Sequence, residues 1–139
     1  MNPYIEILRP GNAIMAAIAV VLMIFVGHNY NVPVLFGGLL VLIITGAGNA
    51  INDVYDYKID AINKPHRPIP SGRISLKRAK TYAISLFLIS ILISFFISYL
   101  VNSYCPSVIV ICAAILMYVY ASHLKAMPLI GNMVVASLT

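Results

Sequence analysis

Charge is what this 139-residue sequence has least of: 9% of its residues are Asp, Glu, Lys or Arg, against 61% hydrophobic, and mean hydropathy is +0.94. An ordinary soluble domain is about a quarter charged. The deficit excludes a soluble globular domain, a disordered segment and a nucleic-acid-binding arm, so no nucleic-acid partner is expected despite a net charge of +5. Cysteine is nearly missing too. Cys105 and Cys112 have neither a C-x-x-C spacing nor a secreted framework around them, and read as inert apolar side chains. A secretory signal peptide is a poor reading of the first apolar run: the residues before it hold one Arg and one Glu, no small-residue cleavage site follows, and further runs come after it.

What is present is long apolar runs. A helix needs about 20 apolar residues to cross a bilayer core of roughly 30 Å. Spans are expected at about 12–29, 34–60, 81–101 and 106–122, with a fifth opening at 128 and still apolar at Thr139. The expected fold is all-α, a polytopic transmembrane helical bundle. The last run is too short to span, so the chain reads as the N-terminal part of a single larger domain, or as one subunit of a homo-oligomer.

All nine basic residues fall on one side once the spans alternate: Arg9, then Lys58 through Lys80 in the second connection, then Lys125. The positive-inside rule puts the N-terminus and the 52–80 segment on the cytoplasmic side of a multi-pass cell-membrane protein. Lys77, Arg78 and Lys80 are accounted for by topology and anionic headgroups. The acids are not.

Of four acidic residues, Asp53, Asp56 and Asp60 lie together and nothing acidic follows them. If the second helix continues through Asp60, then Asn49, Asn52, Asp53, Asp56 and Asp60 share an arc of roughly 100°. Stacked carboxylates repel one another unless a cation neutralises them. Oxygen-only ligands at a water interface suit a hard ion, Mg²⁺, shared with phosphate. The plainer alternative is ion pairing with Lys58, Lys64 and Arg67. A cation path through a transporter is the alternative of a different class, but the acids sit at the end of a span and not at its middle. The following Asn63-Lys64-Pro65-His66-Arg67-Pro68-Ile69-Pro70-Ser71-Gly72-Arg73 carries three prolines that end the helix and stiffen a cationic loop. Arg67 and Arg73 suit bidentate phosphate contact and Lys64 a point charge. His66 reads as a surface histidine.

Asn52-Asp53-x-x-Asp56-x-x-x-Asp60, with the Arg67-Pro68-Ile69-Pro70-Ser71-Gly72 tail, resembles the first aspartate-rich motif of the UbiA-type intramembrane prenyltransferases. Arg9-Pro10-Gly11-Asn12 is similar to that family's entry to its first helix. Tyr120-Ala121-Ser122-His123-Leu124-Lys125 is similar to its segment between the fourth and fifth helices, where a Tyr and a Lys approach the diphosphate. The resemblance implies nine transmembrane helices around a cavity and a second aspartate motif after the sixth, which this sequence does not contain. CDP-alcohol phosphotransferases also cluster aspartates at a membrane surface, but open on D-G-x-x-A-R, which is missing here.

Within the family the motif's form is shared by the archaeal ether-lipid synthases and the chlorophyll and bacteriochlorophyll synthases; quinone and haem members carry a less similar tail. A compact first loop suits the ether-lipid group. The implied reaction moves a geranylgeranyl group from geranylgeranyl diphosphate to geranylgeranylglyceryl phosphate, so the partners are a prenyl diphosphate, a lipid phosphate acceptor and the membrane lipid. Asn52, Asp53, Asp56 and Asp60 are the implied metal ligands, with Mg²⁺ as cofactor. Asn52, Lys64, Arg67 and Arg73 are the diphosphate contacts, and Asp53, Asp56, Lys125 and Tyr120 the catalytic set. Arg9 and Arg73 are the cations left for the acceptor's phosphate. No general base stands out; the departing diphosphate could take the proton.

Overall fold

Helix α3, Val32–Tyr55, is the element around which the others assemble. In this computed structural model, residues 1–27 and 32–123 are described, except for the side chains of residues 24, 25 and 27. A short helix α1 (Pro3–Glu6) leads into α2 (Pro10–Gly27); after α3 come a one-turn-plus α4 (Tyr57–Asn63), α5 (Leu76–Leu100) and α6 (Cys105–Ser122). Among the described residues there is no strand. The expected fifth span from 128 lies outside the described residues.

α3 packs against α2, α5 and α6, and its inward face explains why. Gly38, Gly46, Ala47, Gly48 and Ala50 are small enough to let three neighbouring backbones approach, while Leu40, Ile44, Ile51 and Val54 fill the spaces between. Gly46 lies where a Cβ would stand 3.3 Å from Leu8 Cδ2 and 3.4 Å from Leu8 Cβ, so the α1–α2 turn sits directly on this residue. The opposite faces of the bundle expose large apolar side chains such as Leu22, Leu35, Leu92 and Ile109. Inverted exposure of this kind is what a lipid environment requires, and α3, α5 and α6 are each long and apolar enough to cross a membrane. α2 is a shorter apolar helix over its described stretch Pro10–Met23.

Serines of α5 are turned inward. Ser90 and Ser94 are fully buried, and their hydroxyls donate back to the carbonyls of Leu86 (2.9 Å) and Ile91 (2.7 Å). Ser98 instead crosses to α6, meeting Ser107 Oγ at 2.7 Å and accepting the Ser107 backbone N–H at 3.1 Å. Each hydroxyl is thus satisfied where there is no water to do it.

One expectation changes. The helix carrying the aspartates does not run unbroken from 34 to 60: α3 stops at Tyr55, Asp56 sits at φ −84°, ψ 0°, and α4 restarts at Tyr57. Helical hydrogen bonds still cross the break: the Asp56 N–H donates to Asn52 O (2.9 Å) and the Asp60 N–H to Asp56 O (2.8 Å).

Candidate functional site

The loop from Lys64 to Ser75 is built by its prolines and one glycine. The Lys64 N–H donates to Asp60 O at 2.7 Å and closes α4, after which Pro65 forbids further helix. The loop then folds on itself: Ser71 N–H and hydroxyl both donate to Arg67 O (2.9 and 2.6 Å), and Ile74 N–H donates to Pro68 O (3.1 Å). Gly72, at φ +75°, makes the reversal that a side chain would resist. Pro68, Ile69 and Ile74 are buried, which anchors the loop over the end of the bundle. Arg67, at the head of this structure, is therefore aimed inward by backbone geometry.

Arg67 reaches the aspartates. Its Nη1 donates to Asp53 Oδ1 at 3.1 Å and also to Asp60 Oδ2, tying the end of α3 to α4. Asp53 and Asp60 are 5% and 6% exposed, so these are nearly buried carboxylates. Asp53 has a second guanidinium. Arg9, whose backbone adopts φ +50°, donates through Nη2 to Asp53 Oδ1. Asn49, expected to join the acid row, donates its amide to Leu8 O at 2.9 Å and fixes the turn that presents Arg9. Asp53 and Asp60 thus share one neighbourhood, as their spacing suggests, and Asp56 lies between them at the helix junction.

The ion-pair alternative holds for Arg67 but not for the lysines: among the described residues, Lys58 and Lys64 are exposed and make no ion pair. Arg9, a candidate for the acceptor's phosphate, pairs here with a carboxylate, the left-handed turn before α2 directing it toward α3. Arg73 is engaged elsewhere. It makes a bidentate pair with Glu6, Nη1 to Oε2 at 2.7 Å and Nη2 to Oε1 at 2.9 Å, and donates to His66 O at 2.6 Å. That contact holds the Glu6 carboxyl below its ordinary range and raises Arg73 above its own. His66 is exposed, as read.

Asn52 adds an oxygen donor at the head of the row. Its Oδ1 is buried and is the one such side-chain oxygen among the described residues without a hydrogen-bond partner. A buried carbonyl oxygen left unpaired costs about 1–3 kcal/mol, and this one sits beside Asp53 in sequence, at the motif's head. An amide oxygen with flanking carboxylates is a hard-oxygen donor set, which fits Mg²⁺ and would suit no soft metal. No group of three acids, histidines or cysteines is gathered for a metal among the described residues.

Tyr120 is half-buried near the end of α6, and Lys125 lies outside the described residues. The tyrosine brought into a polar cluster is Tyr118. Its hydroxyl lies 3.0 Å from that of Tyr55, with rings edge-to-face at 6.0 Å, and Lys80 Nζ stands 5.8 Å from the centre of the Tyr55 ring. Tyr55, Lys80 and Tyr118 come from three helices; the sequence signals only that Tyr55 adjoins the aspartates and Tyr118 the Tyr120 segment, and nothing local signals Lys80.

Residues 13–139 match the UbiA prenyltransferase family. The chain is 58% identical over its whole length to the digeranylgeranylglyceryl phosphate synthase of Methanosphaera stadtmanae and 52% identical to that of Methanobrevibacter smithii, covering 49% of each. It is 41% identical over 98% of its length to the synthase of Thermococcus kodakarensis, covering 48% of that protein. A solved structure reported as "Structural and mechanistic insights into the biosynthesis of Digeranylgeranylglyceryl phosphate synthase in membranes" superimposes with a TM-score of 0.83 at 33% identity, over 96% of this chain and 47% of that one. The chain spans about half the length of the curated relatives it matches. With its all-helical, multi-pass bundle and the aspartate row under a rigid cationic loop, the chain belongs to the UbiA prenyltransferase family.

Proposed function

We propose that the full-length protein transfers a geranylgeranyl group from geranylgeranyl diphosphate to geranylgeranylglyceryl phosphate, forming the second ether bond of archaeal membrane lipids. The observation that carries this reading is the buried, unpartnered Asn52 Oδ1 at the head of a carboxylate row in which Asp53 and Asp60 gather cations from Arg9 and Arg67. Digeranylgeranylglyceryl phosphate synthases 52% and 58% identical across the whole chain supply the substrate class.

Asn52, Asp53, Asp56 and Asp60 are the residues that would hold Mg²⁺. Bound there, the ion would neutralise diphosphate oxygens and make the diphosphate a better leaving group. Arg67, which pairs with Asp53 and Asp60, would offer its planar fork to phosphate oxygens, and exposed Lys64 a mobile point charge. Arg9 pairs with Asp53 and orients it. Arg73 acts through the loop and positions Arg67. Tyr55 and Tyr118, with Lys80, offer ring faces to positive charge developing at the allylic carbon; Tyr120 and Lys125 complete the proposed catalytic set. The spans' apolar surface receives the prenyl tail, at about 0.8 kcal/mol per buried CH₂. The aspartate motif and N-terminus face the cytoplasm, following the positive charge at this end.

Calorimetric titration of the full-length protein tests the reading. Mg²⁺ should bind more tightly when geranylgeranyl diphosphate is present, and Asp56→Ala should abolish that coupling. Unchanged Mg²⁺ affinity with and without the diphosphate would overturn it. Product analysis with geranylgeranylglyceryl phosphate, a chlorophyllide and a quinone precursor then separates the acceptor classes.

A further inference from the structure

Outside the aspartate site, the charged end of the bundle has a second feature that the reaction does not use. Tyr4, Lys77, Arg78, Thr81 and Tyr82 line an open cavity of about 530 Å³ between α1 and the first turns of α5. We propose that this cavity binds the phosphate headgroup of an anionic membrane phospholipid, whose chains lie along the outer face of α5.

The cavity is cationic with no local counter-charge. Among the described residues, the ion pairs involve only Arg9, Arg67 and Arg73, so neither Lys77 nor Arg78 has an acidic partner. Glu6 is the carboxylate of α1, the element that forms the cavity wall, and both its oxygens are taken by Arg73. The wall is held in place. Tyr4 packs edge-on against Tyr82 with ring centres 5.3 Å apart, Ile7 is fully buried, and Asn49 and Asp53 secure the turn that follows. The cavity also lies away from the catalytic side of α5. Ala79, Ala83 and Phe87 mark the buried face of that helix, and Lys80 turns to Tyr55. Lys77 and Thr81 lie on the outer side.

Depth and continuity point to a lipid in particular. At 1.5 Å per residue the 25 residues of α5 reach about 37 Å, beyond a hydrocarbon core of about 30 Å, so its first turn stands at headgroup level. Following the 100° helical step down from Lys77 and Thr81, the same stripe carries Leu88, Leu92 and Tyr99, which are 58%, 68% and 82% exposed. Cations and a hydroxyl at the rim, with an uncovered apolar track directly below, match a phosphate joined to long chains. Free phosphate would use only the rim.

The test titrates full-length protein in detergent with dioleoylphosphatidylglycerol, counting bound lipids by native mass spectrometry, beside the neutral diacylglycerol and inorganic phosphate. Phosphatidylglycerol should bind tightly. Lys77→Gln/Arg78→Gln should weaken it by about tenfold or more, as removal of two headgroup contacts implies. Lys58→Gln, which removes an exposed charge elsewhere, should leave it within about twofold. Equal loss in Lys58→Gln would mean diffuse attraction, and equal affinity for diacylglycerol or for inorganic phosphate would remove either the headgroup or the chains from recognition; each overturns the proposal. So does unchanged affinity in the double variant. None of these readouts depends on prenyl transfer, so failure here leaves the proposed reaction standing.

Discussion

Arg67 ties Asp53 to Asp60, and its replacement should be felt at once. Arg67→Gln leaves the buried Asp60 without its guanidinium and removes one of the two from Asp53. Breaking a buried pair from one side costs about 3–5 kcal/mol, so the melting temperature of the full-length protein should fall sharply. Added Mg²⁺ should restore more stability to this variant than to the native protein, since only the variant has lost its internal cation. Equal Mg²⁺ effects on the two would show that the ion does not use these carboxylates. The Glu6–Arg73 pair gives a pH prediction of opposite location. Glu6 in the folded protein titrates below its ordinary value because Arg73 hydrogen-bonds its carboxylate. The stabilisation is therefore complete above the unfolded-state value of about 4.3 and disappears as the pH falls through the lower folded-state value. The melting-temperature gap between native protein and Glu6→Gln should be present at pH 6 and close progressively below about 4.3.

At the scale of elements, α3 decides the assembly through its glycines, and two of them should behave differently. A Cβ at Gly46 meets Leu8 at its Cβ and Cδ2, close to the backbone of a turn already pinned by Asn49. A Cβ at Gly48 meets Met117 Sδ at 3.1 Å, near the free end of a flexible chain that can move aside. Gly46→Ala should therefore destabilise by about 1–3 kcal/mol through overpacking, and should loosen Arg9 from Asp53. Gly48→Ala should be near neutral. Thermal unfolding of both variants in one detergent checks the order. Between α5 and α6, Ser98→Ala removes the acceptor of the Ser107 N–H inside the bundle and should cost about 1 kcal/mol. A change indistinguishable from zero would mean another acceptor takes the Ser107 proton.

For the whole molecule, much was legible because hydropathy and charge act over long stretches. Absence of charge required a membrane, run length set helices near the observed α2, α5 and α6, and the one-sided cations marked the charged end. The aspartate motif could be found because its members are close in sequence and a helix repeats every 3.6 residues. Its geometry was less legible where partners are distant. Arg9 pairs with a residue 44 positions away, Arg73 with one 67 away, and Tyr55 with Tyr118 across 63. The break at Asp56 was hidden because the local pattern is helical on both sides. Composition, helix period and motif spacing by themselves determined the membrane fold, the family resemblance and the identity of the acid row, since each is a property of neighbouring residues. Only the tertiary structure decided which cation meets which acid, which tyrosine enters the cluster and which oxygen is left unpaired. Those outcomes depend on how the α1–α2 turn and the Lys64–Ser75 loop close over α3, and a linear pattern carries no record of that closure.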